Sequence, residues 1–154
     1  MNEAARAAWS AFQKETGVAA DPVDVFAFGD SPDLADSLLA LVLSGEKRAT
    51  CGRKRAYDLE GLDPPRPGDL SLVLDGAGRP RAVIETVDAR IAPFASATAA
   101  FANEEGEGDK SLEWWRAAHI AFFQRECAKE GVAFDESEDV VFERFRLVWT
   151  APAD

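Results

Sequence analysis

One segment limits the fold more than any other. Residues 69–74 and 80–91 both read as strands, and Asp75-Gly76-Ala77-Gly78 lies between them. Glycine supplies positive φ cheaply, so this tetrapeptide is hairpin chemistry. A hairpin makes its two strands antiparallel neighbours, and the two-residue period of side chains assigns each residue to a face. In Ala82-Val83-Ile84-Glu85-Thr86-Val87, the side chains of Val83, Glu85 and Val87 share one face, and those of Ile84 and Thr86 share the other. A carboxylate set between two valines is either on an exposed face or held inside for a purpose, because burying it is expensive unless it is paired. Glu143, between Val141 and Phe145 in a second alternating run at 140–149, repeats the pattern.

The remaining chain supplies helices around this pairing. Ala4, Ala5, Ala8, Trp9 and Phe12 recur at helical spacing before Gly17, which predicts a helix over 3–15. Val23 to Phe28 is a short apolar run that reads as extended. Ser31-Pro32-Asp33 is a helix start, with Ser as cap, Pro at the first helical position and Asp facing the positive helix end. That helix carries Leu34, Leu38, Leu39, Leu41 and Val42 and stops at Gly45. Pro64, Pro65, Pro67 and Gly68 break the chain before the hairpin. A short helical piece covers 97–103. After the loop at 104–109, Ser111 caps a long helix that ends at Gly131. Strands and helices do not alternate regularly, so the expected class is α+β, with a mainly antiparallel sheet curled into a β-barrel and flanked by helices. A length of 154 residues fits one domain.

Charge narrows the partners. The formal net charge of -11 argues against coating DNA through its phosphates, which needs many cationic contacts. Residues 1–46 hold 8 acids and 2 bases, residues 47–90 hold 7 acids and 9 bases, and residues 91–154 hold 13 acids and 6 bases. The middle third is therefore the expected place for an anionic ligand, and the acidic remainder limits that ligand to something short or single-stranded. No apolar run reaches the roughly 18 residues of a membrane span. The start Met1-Asn2-Glu3-Ala4-Ala5-Arg6 lacks a charged-then-apolar leader, so a cytoplasmic location with no membrane partner is expected. Cys51 and Cys127 are far apart and show no metal spacing, which makes reduced thiols the default.

Several clusters are candidates for chemistry. In Gly45-Glu46-Lys47-Arg48-Ala49-Thr50, a helix ends at glycine and a lysine and a hydroxyl follow at the rim of the sheet. Lys47, Arg48, Arg53, Lys54 and Arg55 place five bases in nine positions with no acid among them, beside Tyr57, the only tyrosine, which is able to stack on a base. Either cluster also reads as an ordinary solvated loop. The loop Glu104-Glu105-Gly106-Glu107-Gly108-Asp109 resembles a cation-binding loop but does not match the EF-hand spacing, so a structured turn is favoured, with a divalent metal as the alternative. His119, the only histidine, falls four residues after Trp115 on the apolar side of its helix, a placement more usual for a hydrogen-bonded core or groove residue than for a catalyst. One histidine cannot build a zinc cluster, and the P-loop and dinucleotide fingerprints are absent.

These motifs also occur in a recognisable order. Phe28-Gly29-Asp30-Ser31-Pro32, Gly45 to Cys51, Pro67-Gly68-Asp69, Val83-Ile84-Glu85-Thr86, Glu104 to Leu112, Trp115 to His119 and Glu143-Arg144-Phe145 together closely resemble the YhfF-like branch of the ASCH domain family. The resemblance covers roughly residues 25–149. Residues 1–24 are then an N-terminal helical extension and residues 25–150 a single ASCH domain. The resemblance implies a PUA-like β-barrel with a cleft where the segment around Lys47 meets the barrel. It also implies links to RNA binding and translation, since some members are single-stranded ribonucleases and a related branch deacylates acylated cytidine. In that branch the working residues look like a lysine, a threonine three positions on, and a strand glutamate. Lys47, Thr50 and Glu85 match that pattern, although the deacylases lack the long helix and the 104–109 loop.

The expected function is thus an RNA- or nucleotide-binding protein that cleaves single-stranded RNA. The alternatives are removal of the acyl group from N4-acylcytidine-type nucleosides, and binding without turnover. Lys47, Thr50 and Glu85 are the expected catalytic set, with Lys47 as base or electrostatic clamp. Arg48, Arg53, Tyr57, Ser111, Trp115, His119 and Glu143 are the expected substrate-binding residues. No cofactor is required by the sequence, and the oligomeric state is open.

Overall fold

The computed structural model describes residues 1–152. The chain runs α1 (Glu3–Thr16), β1 (Asp24–Ala27), α2 (Pro32–Ser44), β2 (Ala49–Arg53), α3 (Lys54–Glu60), β3 (Leu70–Leu74), β4 (Pro80–Pro93), a 3-10 turn (Phe94–Ser96), α4 (Ala99–Glu105), α5 (Leu112–Glu130) and β5 (Asp139–Thr150). Five strands form one curled sheet in the order β1-β3-β4-β5-β2. The β3–β4 hairpin forms as its turn chemistry requires, and β4 and β5 then pair along most of their length. All pairings are antiparallel except that of β1 with β3. Because β1 and β2 are the two edges, the sheet is a half-barrel, open where those edges face each other.

Strand alternation divides the core. Ala82 and Ile84 of β4 pack with Val73, Phe145 and the α2 residues Leu38, Leu39 and Val42. Val83, between them, points the opposite way and packs with Leu72, Trp149 and the α1 residues Ala5, Trp9 and Phe12. Burying an aromatic such as Trp9 or Phe12 stabilises by roughly 1.5–3 kcal/mol, so α1 is held firmly on the sheet. A third cluster joins α4 and α5, through Phe101, Trp115 and Phe123, to Ala49, Val140 and Phe142.

Helix ends follow their caps. Ser31 Oγ accepts from Leu34 N and Ser111 Oγ from Trp114 N, while Gly45 and Gly131 close their helices at positive φ. Gly106 has a further role. At φ 72° its absent Cβ would lie 2.2 Å from Glu46 O, so only glycine lets this loop lie against the α2–β2 connection. A backbone hydrogen bond from Arg48 N to Glu104 O, 2.7 Å, fixes the same approach. No helix among the described residues is long and apolar enough to cross a membrane.

Candidate functional site

The open side of the half-barrel holds two adjoining cavities. The wider, about 680 Å³, lies between β1, β2 and α3, with Ile84 and Glu143 on its floor. The narrower, about 340 Å³, lies between α2 and α5 and is lined by Leu34, Leu38, Trp114 and Phe122, with Lys47, Glu105, Glu107 and His119 at one end. Phe28, Gly29, Thr50, Cys51 and Phe122 line both, so Thr50 stands at the junction. Its hydroxyl has no hydrogen bond among the described residues.

Lys47 is 2% exposed. Its Nζ donates to Ala49 O at 2.8 Å, Glu105 Oε1 at 3.0 Å and Glu107 Oε2 at 2.8 Å. An ammonium has three protons, and all three are used. Burial alone would lower the Lys47 pKa, but the facing charges of Glu105 and Glu107 outweigh it and hold the amine above its ordinary value. Burial works the other way on Glu105, yet Lys47 and His119 keep this carboxyl well below the usual range. Glu107, which burial and the adjacent Glu105 charge both destabilise as an anion, is raised. His119 Nδ1 lies 2.9 Å from Trp115 O and Nε2 lies 3.2 Å from Glu105 Oε2. Both partners are acceptors, so both ring nitrogens carry protons. Burial opposes that charge, and Glu105 more than offsets it. Trp115 Nε1 also donates to Glu105, and its ring stacks on His119 at 4.2 Å between centroids. Glu105, Glu107 and His119 each offer a ligand atom within 4.8 Å of the others, a grouping able to hold a metal. The Lys47 ammonium is already bonded to both carboxylates.

Glu143 is a different kind of buried acid. It sits directly across from Thr50 in the β2–β5 ladder, on the cavity face, and is 9% exposed. Thr86 Oγ1 donates to its Oε2 at 2.7 Å. No cationic side chain among the described residues pairs with it. Burial pushes its pKa up to about 7, with Asp69 and Asp24 adding to the rise and the Thr86 bond opposing it. The nearby Tyr57 phenol is raised well above its usual value by burial first and by Glu143 second.

The structure therefore rearranges the expected site. Lys47 and Thr50 line one cavity, but the expected pairing of Lys47 with Glu85 is not formed. Glu85 lies opposite Leu70 and Arg146 in the sheet and accepts from Arg146 at 2.7 and 3.1 Å. It shares the face of Val83, which turns toward α1, whereas Thr50, Thr86 and Glu143 occupy the other face. Lys47 is also corrected as a base, because it has no free electron pair and no free proton. Glu143, expected only to bind, is the strand glutamate that shares the cavity face with Thr50.

The basic patch is corrected as an anion site. Arg53 is fully buried and doubly bridged to Glu130, at 2.6 and 3.2 Å, and to Glu138, at 2.8 and 3.1 Å. Arg55 pairs with Glu130 at 3.1 Å and Lys54 with Asp58. Arg48 is exposed and lines neither cavity. Trp115 is core, and Ser111 is a helix cap rather than a cavity residue. Tyr57 lines the wide cavity, and His119 the narrow one. Sequence reasoning missed Thr86, whose hydroxyl was visible only as the neighbour of Glu85, and it missed Asp24 and Asp69. With Glu60, Asp63, Glu126 and Glu143 these give the wide cavity six acids against one base, Arg66.

Comparison with known proteins gives a consistent picture. The family model described as ASCH domain matches residues 24–149. The crystal structure of protein EF3133 from Enterococcus faecalis V583 superposes with a TM-score of 0.89 at 30% identity, covering 97% of this chain and 91% of that one. The crystal structure of an ASCH domain from Lactobacillus crispatus JV V101 does so with a TM-score of 0.86 at 31% identity, covering 96% and 95%. No curated protein matches.

Proposed function

The chain belongs to the ASCH domain family, and on that premise we propose that it is a hydrolase of small nucleoside-sized ligands, removing an acyl group from a base nitrogen. The observation that carries this reading is Glu143. It is a carboxyl with a pKa near 7, no cationic partner, and a place beside an unbonded threonine hydroxyl in a cavity of about 680 Å³. A group that titrates near the working pH suits both halves of a proton transfer.

The chemistry follows from the two free groups. Glu143, ionised, removes a proton from water as the water oxygen bonds to the acyl carbon. The carbonyl π-electron pair moves to oxygen, where the Thr50 hydroxyl donates to the developing charge. Collapse then re-forms the carbonyl and breaks the C–N bond, and Glu143 returns its proton to the leaving nitrogen. The products are a carboxylic acid and the free amine. Lys47 is a positioning residue in this scheme, since its bonds to Ala49 O, Glu105 and Glu107 tie the start of β2, and hence Thr50, to the end of α4 and the loop after it.

Cleavage of an RNA backbone is less well supported. A phosphodiester carries its charge to the site, and the wide cavity is acidic while most of the bases nearest it in sequence are bridged to glutamates. The test is incubation with N4-acetylcytidine and, separately, with a short single-stranded RNA, followed by chromatography. Deacetylated cytidine is expected, with RNA left intact, and Glu143→Gln should slow deacetylation by about 100-fold or more. No deacetylated product from wild type overturns the reading, and RNA fragments would restore the phosphodiester alternative.

A further inference from the structure

The wide cavity is lined with acids and holds almost no cation of its own. Arg66, its one base, is mostly exposed and lies 4.0 Å from Asp63. Asp24 and Asp69 accept only backbone hydrogen bonds, from Val25 N and Arg66 N. Glu143 is the most buried of the acids, and its one hydrogen bond goes to Oε2. Its Oε1 accepts nothing among the described residues. Every buried side-chain oxygen among the described residues has a partner, so this unbonded oxygen is one that opens on the cavity, where it is free to accept from a donor that enters. Phe26, Tyr57 and Phe122 line the same space, and aromatic faces attract cations through their quadrupole. Negative walls and aromatic faces together disfavour a phosphate and favour a positive group.

We propose that the wide cavity takes an organic cation, with its flat body among the aromatic rings, its positive group toward Asp24 and Asp69, and a hydrogen-bond donor reaching Glu143 Oε1. This names the substrate class of the hydrolytic site and rests on that reading. The preferred substrate is an acylated base or nucleoside that carries an added positive group and no phosphate, with neutral N4-acetylcytidine turned over as a weaker analogue. Asp24 and Asp69 then set specificity without entering the bond-breaking step.

Three probes of nearly one shape and three charges test it. Benzamidinium, benzamide and benzoate are each titrated into the full chain at fixed ionic strength, with backbone amide shifts as the readout. Benzamidinium should bind about tenfold or more tightly than benzamide, with benzoate weaker still, and its shifts should centre on Gly52 and Tyr57. Asp24→Asn with Asp69→Asn keeps both side-chain acceptors. It should weaken benzamidinium about tenfold and leave benzamide within about twofold. Equal affinities, no binding by any probe, or shifts confined to acidic surface outside the cavity overturn the proposal. Acylcytidine turnover is scored separately. Ranked binding without turnover would remove only the hydrolytic reading, and turnover without ranked binding only this inference.

Discussion

Lys47 and Glu143 are buried to a similar degree at two ends of one cleft, yet they differ in what surrounds them. Lys47, with His119, faces Glu105 and Glu107, so cationic and acidic groups are paired and every Lys47 proton has an acceptor. Glu143 has one hydroxyl donor and no countercharge. Low dielectric penalises any unbalanced charge. The first region meets that penalty by pairing, and its side chains are fixed. The second meets it by a shifted pKa, which leaves a group ready to exchange a proton. Pairing marks architecture, and the absence of pairing marks the candidate chemistry.

The largest effect is expected where that balance is broken. Lys47→Met leaves two buried carboxylates without their main cation, and removing one member of a buried charge set typically costs about 3–5 kcal/mol. Chemical denaturation should register a loss of that order. Adding Glu107→Gln should recover part of it, because the double variant buries one uncompensated charge fewer. A Lys47→Met loss below about 1 kcal/mol would mean that the cluster is not tightly paired, and the contrast with Glu143 would fail.

The next effect lies at the other end. The Glu143 pKa is higher in the folded chain, about 7, than in an unfolded one. Below the ordinary glutamate range both states are protonated and the group is neutral to stability. As pH rises toward 7, the unfolded chain releases its proton before the folded one does, so stability falls. Above about pH 7 both are ionised and the loss is constant, on the order of 3–4 kcal/mol. Asp24, Asp69 and Tyr57 face the same space, and Lys47 opposes them weakly from the cleft's other end. Glu143→Gln should abolish most of this slope and be relatively more stable than wild type at pH 8. A wild-type stability that is flat between pH 5 and 7, once the other carboxylates are allowed for, would sink the assignment.

Much of this architecture was legible in the sequence because it depends on local rules. The hairpin at 75–78, the Ser31 and Ser111 caps and the stops at Gly45 and Gly131 each follow from a few adjacent residues. So did the alternation that set Glu85 apart from Ile84 and Thr86. The partners of each charge were not legible, because they arrive from remote segments. Arg53 meets acids 77 and 85 residues away, and Lys47 meets acids 58 and 60 away. A local count of bases therefore suggested an anion site where the folded chain has salt bridges. Alternation also gives parity but not direction. Whether Glu85 or Glu143 looked into the cavity depended on which face received α1, and that was settled by Trp9 and Phe12 packing on Leu72 and Val83.

Glu85 supplies the smallest effect and the sharpest control on the comparison. It is a carboxylate on the same sheet, on β4 beside Glu143's own strand β5, and its partner Arg146 is largely exposed. Solvent screens such a pair, which limits its contribution to about 0–1 kcal/mol. Glu85→Gln should therefore change stability by less than about 1 kcal/mol and leave acylcytidine turnover within about twofold, while Glu143→Gln slows it about 100-fold or more. The two acids differ in sheet face and in pairing, not in chemistry. If Glu85→Gln lost turnover as fully as Glu143→Gln, pairing state would not be what distinguishes a working carboxylate in this fold, and the site would have to be rebuilt around the opposite face of the sheet.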